Sequence, residues 1–187
     1  MGDKFVPVFT PPGGTSVVLE NRFVLPKGWL VPSVLVVNDP SQRLSILQNP
    51  QFNPKTLALV EVPPPIPLAD PNNSPAPLAT GNVSVSTYEG EQVVIEAYAP
   101  ANALLVLGEK YYKGWKATVD GSSASIVPVN HVLRGVYLTP GKHRVEFRFD
   151  PMPFKIGKYL TLGSFVLFAG MLVREWLMRS RRLKDVG

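Results

Sequence analysis

Seven consecutive residues, Lys110-Tyr111-Tyr112-Lys113-Gly114-Trp115-Lys116, set three aromatic rings among three lysines. Rings flanked by cations stack on sugars, settle at a membrane interface or anchor a partner protein, so Tyr111, Tyr112 and Trp115 are the candidate contact residues. The same spacing also suits a structural role, in which Tyr111 and Trp115 close one end of a core and Gly114 permits the turn. No catalytic constellation accompanies them. His131 and His143 have no partner at metal-ligand spacing and no Ser or Asp in a nucleophile-elbow context. Gly13-Gly14 follows two prolines rather than a strand, which makes it a turn and not a phosphate loop. Glu89 and Glu91 flank a single glycine and read as solvated hairpin charge. The chain has no Cys, which removes disulfides, thiolate metal sites and thiol nucleophiles. No catalytic, cofactor-binding or metal-ligating residue is assigned, and the chain is not expected to be an enzyme.

The net charge of +5 comes from 19 basic and 14 acidic residues, and its location matters more than its size. Five of the basic residues (Arg174, Arg179, Arg181, Arg182, Lys184) and two of the acidic ones (Glu175, Asp185) follow Val173, which leaves 14 against 12 before it. A nearly neutral body offers no stripe of cations for a phosphate backbone, so nucleic acid is not an expected partner.

Just ahead of that basic cluster, residues 154–173 carry charge only at Lys155 and Lys158. Twenty helical residues rise about 30 Å, roughly one hydrocarbon core. This predicts a single transmembrane helix over 154–178 followed by a basic cytoplasmic tail over 179–187. Lys155 and Lys158 would snorkel to one headgroup layer, and Arg174, Trp176, Arg179, Arg181 and Arg182 would mark the other. A buried core helix is the alternative, because the charge-free run from Tyr159 is only 15 residues long. Gly163 and Gly170, seven apart and therefore on one face, would admit a neighbouring helix. The basic cluster points to a cytoplasmic C-terminus and an extracytoplasmic, periplasmic body in a bacterial inner membrane. Met1-Gly-Asp-Lys-Phe-Val-Pro shows no cationic-then-apolar leader, so export is expected to depend on upstream membrane segments or on the anchor itself.

The body that must position the aromatic cluster, residues 1–153, reads as strands separated by turn residues. Candidate strands cover 29–37, 56–62, 83–88, 92–98, 103–109, 115–119, 123–129, 132–138 and 144–149, with one short helix over 40–49. In the last strand Val145, Phe147 and Phe149 alternate with Arg144, Glu146 and Arg148, one buried face and one wet. Glu89-Gly90-Glu91, Asp120-Gly121 and Pro140-Gly141 fall at hairpin distances. The fold class is mainly β: an antiparallel β-sandwich with one short helix, followed by the single C-terminal transmembrane α-helix. Seven prolines between Pro63 and Pro77 rule out a helix or central strand there. Residues 63–78 are therefore expected to be a stiff linker between β segments 1–62 and 79–150, or else a docking strap for a partner.

Three runs carry a family resemblance: Leu104-Leu-Val-Leu-Gly-Glu-Lys-Tyr-Tyr-Lys-Gly-Trp-Lys-Ala-Thr-Val-Asp-Gly121, Val129-Asn-His-Val-Leu-Arg-Gly-Val136 and Pro140-Gly-Lys-His-Arg-Val-Glu-Phe-Arg-Phe149. With Leu25-Pro-Lys-Gly-Trp-Leu-Val31 and Asn49-Pro-Gln-Phe-Asn-Pro54 upstream, they resemble the C-terminal region of YfhO-like bacterial membrane proteins. Those are large multi-spanning proteins related to glycosyltransferases that use lipid-linked sugar donors. The resemblance implies an extracytoplasmic β-sandwich followed by a last span. The family's catalytic acidic residues are expected in early loops between membrane helices, and nothing here matches them.

Three functions follow as expectations. The first is a non-catalytic single-span accessory subunit that joins and stabilises a larger integral membrane complex, as such subunits do in photosynthetic and respiratory assemblies. Its partners would be integral membrane proteins and the lipid bilayer. The second is a C-terminal domain or fragment of a YfhO-like glycosyltransferase, with Tyr111, Tyr112 and Trp115 on envelope glycan. The third is a carbohydrate-binding module.

Overall fold

A computed structural model of the chain describes residues 5–71 and 81–184, with side chains through residue 175. The chain divides into two units at Arg148/Phe149. In the first, two sheets enclose a core. One sheet has five strands in the order β10 (Ser122–Ala124), β9 (Trp115–Val119), β13 (Gly141–Phe149), β7 (Gln92–Ala99) and β6 (Asn82–Tyr88). The other has six, in the order β3 (Gly28–Val31), β8 (Ala103–Lys110), β12 (Leu133–Leu138), β11 (Val127–Val129), β5 (Leu57–Val60) and β4 (Ser33–Val36).

Strand β8 shows why the sequence folds this way. Its first five residues, Ala103 to Leu107, are all buried, the pattern of a strand covered on both faces. Successive side chains point to opposite faces. Ala103, Leu105 and Leu107 enter the core between the sheets with Leu30, Ile95, Val145 and Phe147. Leu104 and Val106 enter a second cluster with Trp29, Val31, Ala58, Val60 and Val129. Fully buried side chains of this kind stabilise the fold by about 1.5–3 kcal/mol each. Gly135 makes the close approach of β12 to β8 possible, because a Cβ there would lie 2.7 Å from the Leu105 carbonyl oxygen.

The structure departs from the expected strands in four places. The run 29–37 is split into β3 and β4 at Pro32, which has no N–H to give a ladder. The run 123–129 is also two strands: Ala124 pairs with Ala117 in the five-stranded sheet, and Val127 pairs with Gly135 in the six-stranded one. The β4–β5 pair is not antiparallel but runs parallel. The helix α1 (Pro40–Gln48) lies between them, and such a crossover is what parallel neighbours require. Asp39 caps α1 by accepting from the Ser41 and Gln42 N–H groups, and Arg43 reaches from it to the Val37 and Asn38 carbonyls and to Glu61. The fourth departure is a hairpin, β1 (Phe5–Phe9) and β2 (Val18–Asn21), which forms a two-stranded sheet of its own. Gly14 N–H closes on the Pro11 carbonyl at 3.0 Å with Gly13 at φ +71°, so the Pro12-Gly13 pair is the hairpin's turn chemistry.

Strands on both sides of the proline-rich stretch share the six-stranded sheet, since β3 pairs with β8 and β5 with β11. The described part of that stretch is tied down: Ala69 N–H donates to the Pro32 carbonyl, and Asn102 Nδ2 donates to the Pro67 carbonyl. Pro75 and Pro77 lie outside the described residues.

The second unit is dominated by one helix, α2 (Met152–Lys184). It runs on through 179–184, where the sequence had suggested a separate tail. Met152–Glu175 is long and apolar enough to cross a bilayer, and none of its most apolar window is buried, so it is not a core helix. Two of its hydroxyls bond back along the helix, Thr161 to the Gly157 carbonyl and Ser164 to the Leu160 carbonyl, both at 2.9 Å. Polar groups satisfied within the helix are what a hydrocarbon surrounding demands.

Candidate functional site: a polar cavity at the end of the sandwich

Of the three aromatic candidates, Trp115 lies at a cavity. Trp115 opens β9, is half-buried, and packs against the core between the sheets. Tyr111 and Tyr112 stand in the loop between β8 and β9 and are 38% and 61% exposed. Gly114, at φ +106°, turns the chain between them and Trp115. Trp115 thus has the structural role the spacing allowed and also lines a cavity of about 280 Å³, together with Tyr88, Glu89, Val93, Glu109 and Arg134.

Three of these residues, Arg134, Glu109 and Tyr88, were not singled out from the sequence and, with Lys27 beside them, define the chemistry here. The guanidinium carbon of Arg134, on β12, lies 3.8 Å from the centre of the Trp115 ring and 5.5 Å from that of Phe147. Arg134 is only 1% exposed. Its Nη1 donates to the Lys110 carbonyl at 3.2 Å, whereas its Nε and Nη2 are buried with no hydrogen-bond partner among the described residues. Burial lowers its pKa from the usual arginine range, against the pull of Glu109 and Tyr88. Across the cavity mouth Glu109 is ion-paired with Lys27 and accepts from the Tyr88 hydroxyl at 2.5 Å. The Lys27 ammonium also lies 4.3 Å from the centre of the Tyr88 ring. Burial, the largest single influence, raises the Glu109 carboxyl. The hydrogen bonds and charges of its neighbours, Lys27 foremost, together outweigh it and hold Glu109 below its ordinary value. The Lys27 ammonium is raised in turn, chiefly by its hydrogen bond to Glu109.

Arg134 could have been noticed in the sequence as a cation set in an apolar strand, Leu133-Arg-Gly-Val-Tyr-Leu138. Nothing in the spacing pointed to Tyr88, Glu109 or Lys27, which come together only through pairing of distant strands.

The histidines do other work. His143 Nδ1 meets Asp120 at 2.7 Å, and its Nε2 meets the Thr139 carbonyl at 2.9 Å, which ties β13 to the tight turn at Asp120-Gly121. His131 sits at φ +73° in the loop before β12. Among the described residues no three His, Cys, Asp or Glu gather as a metal site. A second cavity, about 400 Å³, lies between the proline-rich stretch (Val62, Pro63, Pro65, Ile66) and Tyr137, whose pKa burial raises.

On α2, Gly163 and Gly170 leave open space around their Cα positions. Lys155 pairs with Asp150, Lys158 and Arg174 are exposed, and Trp176, Arg179, Arg181 and Arg182 lie beyond the described side chains.

These features define a β-sandwich protein with a polar-aromatic cavity and one apolar helix able to span a bilayer. The family model described as bacterial membrane protein YfhO matches residues 65–161, about half of the chain. The chain belongs to that family and is a membrane protein. The match takes in Tyr88, Glu109, Trp115 and Arg134 and the start of α2, but not Lys27 or the β1–β2 hairpin. No curated protein and no solved structure matches the chain.

Proposed function

We propose that the chain is a non-catalytic single-span accessory subunit of a larger integral membrane complex, with its β unit on the extracytoplasmic face and its C-terminus in the cytoplasm. The β1–β2 hairpin carries this reading. Phe5, Val8, Phe9, Val18 and Leu19 are exposed, followed by Phe23 and Val24 at 66% and 73%. The register puts Phe5 and Leu19 on one face, while Val6 and Val8 alternate onto the other. A two-stranded hairpin is marginal in water by itself, and apolar surface on both faces marks a contact site. The orientation is supported by the basic residues after Val173. The test is a photo-crosslinker at Phe9 or Phe23 in cells, followed by purification in mild detergent. A crosslinked, co-purifying integral membrane protein is expected. A lone monomer with no crosslink would sink the idea.

The cavity favours a second reading, that the chain is the glycan-contacting domain of a YfhO-type glycosyltransferase, with Trp115 at the contact. Titration with envelope polysaccharide tests it: Trp115→Ala should abolish binding, and unchanged or absent binding in the unmodified chain would reject it.

A further inference from the structure

We propose that the cavity at Arg134 binds a sugar acid, a single pyranose ring carrying a carboxylate. This rests on the glycan reading above and specifies its ligand. The argument begins with the unused edge of the guanidinium. Nη1 is engaged by the Lys110 carbonyl, which leaves Nε and Nη2 without partners. Those two nitrogens form one side of the planar fork, and their parallel N–H bonds match the two oxygens of a carboxylate. A cation that is 1% exposed, with one nitrogen bonded and two idle, carries a desolvation cost in the fold it sits in. Such an arrangement is explained when the idle edge serves a ligand.

The rest of the cavity sets the remainder of the ligand. Its volume of about 280 Å³ falls just below the range of small-molecule pockets, roughly 300–1,000 Å³, which suits one ring rather than a chain of them. The rings of Trp115 and Tyr88 offer carbon to the C–H face of a pyranose, and Glu89 and Glu109 accept from its hydroxyls. Charge separates carboxylate from phosphate. Lys27 offsets Glu109, which leaves the charges of Arg134 and Glu89 facing each other among the described residues that line the cavity. A carboxylate adds one negative charge to this near-neutral set, and a phosphate monoester of about −1.5 to −2 adds more and is the less favoured of the two. Both idle nitrogens are enclosed, so binding requires the cavity wall at Trp115 to shift and admit the carboxylate. Trp115, stacked on the guanidinium, is the wall residue whose fluorescence reports that movement.

The experiment titrates the full chain in detergent with glucuronate, glucose, glucose 6-phosphate and acetate, by calorimetry and by tryptophan fluorescence. Glucuronate is expected to bind saturably and to shift the fluorescence, with glucose weaker by at least about tenfold for loss of a charge-assisted pair of hydrogen bonds. Arg134→Lys, which keeps the charge but lacks the fork, should lose that preference. Arg134→Met, whose apolar side chain suits the buried position if lysine does not fold there, should lose it too. Equal affinity for glucose and glucuronate would overturn the inference and leave the glycan reading standing. Acetate as strong as glucuronate would mean a bare carboxylate site, and tighter glucose 6-phosphate a phosphate site; either overturns it. No binding of all four would mean that the cavity holds water alone, and polysaccharide binding by the chain would then decide the glycan reading separately.

Discussion

Arg134 and Trp115 join the two sheets: the guanidinium on β12 of one lies 3.8 Å from the ring on β9 of the other. The Tyr88–Glu109 hydrogen bond spans the same gap, from β6 to β8, so this end of the sandwich is closed by polar and aromatic contacts rather than by aliphatic packing. Trp115→Ala removes both core contact and the stacked ring. It should destabilise the chain by about 2–4 kcal/mol, measured by denaturant unfolding followed by circular dichroism. A change below about 0.5 kcal/mol would mean that the ring has no structural role.

Arg134→Met should behave differently. It gives up the cation–π contacts but also the cost of a buried charge with idle donors, so stability should change by no more than about 1 kcal/mol in either direction. A loss above about 3 kcal/mol would show that the guanidinium is fully satisfied in the folded chain.

Asp120 supplies a pH dependence. The Arg144 backbone N–H first, and His143 second, hold its carboxyl below the ordinary value of 3.8. A depressed carboxyl contributes stability above the unfolded value and loses it as pH falls through the folded one. Asp120→Asn should therefore cost stability at neutral pH, by no more than about 1 kcal/mol since the carboxylate is half exposed and screened. The difference between the two proteins should close below pH 3.8. A gap that widened with acid would contradict the assignment.

Leu167 lies in the middle of the apolar part of α2. Leu167→Arg should raise the cost of insertion by about 3 kcal/mol. Fractionation of cells should then find less of the chain in the membrane pellet after alkaline extraction. Full retention would mean that other surfaces hold it there.

How much of this was legible in the sequence depended on range. Periodicity of two in 144–149, the apolar run of β8, the cap at Asp39 and the span of α2 are local, and local patterns exposed them. The β1–β2 hairpin was hidden because Pro7 interrupts the first strand and nothing amphipathic marks either one. The parallel β4–β5 pair was hidden because register between distant segments leaves no local trace. The cavity divides along the same line: Trp115 stood out by its neighbours, while Lys27, Tyr88 and Glu109 are 82 positions apart at their extremes and meet only through the sheets. Arg134 was visible but mute, since a cation in an apolar strand gives no sign of which donors will go unused.

Between Tyr159 and Arg174 the side-chain hydroxyls of α2 are those of Thr161 and Ser164, and both are bonded back along the helix. Over that stretch α2 offers a neighbouring helix no idle hydrogen-bonding side chain, so in the accessory-subunit reading proposed above it would be recognised by contour, at Gly163 and Gly170. Selectivity in assembly then resides outside the lipid, and α2 becomes an interchangeable part: a foreign span of equal length, with small residues kept at those two positions, would serve as well.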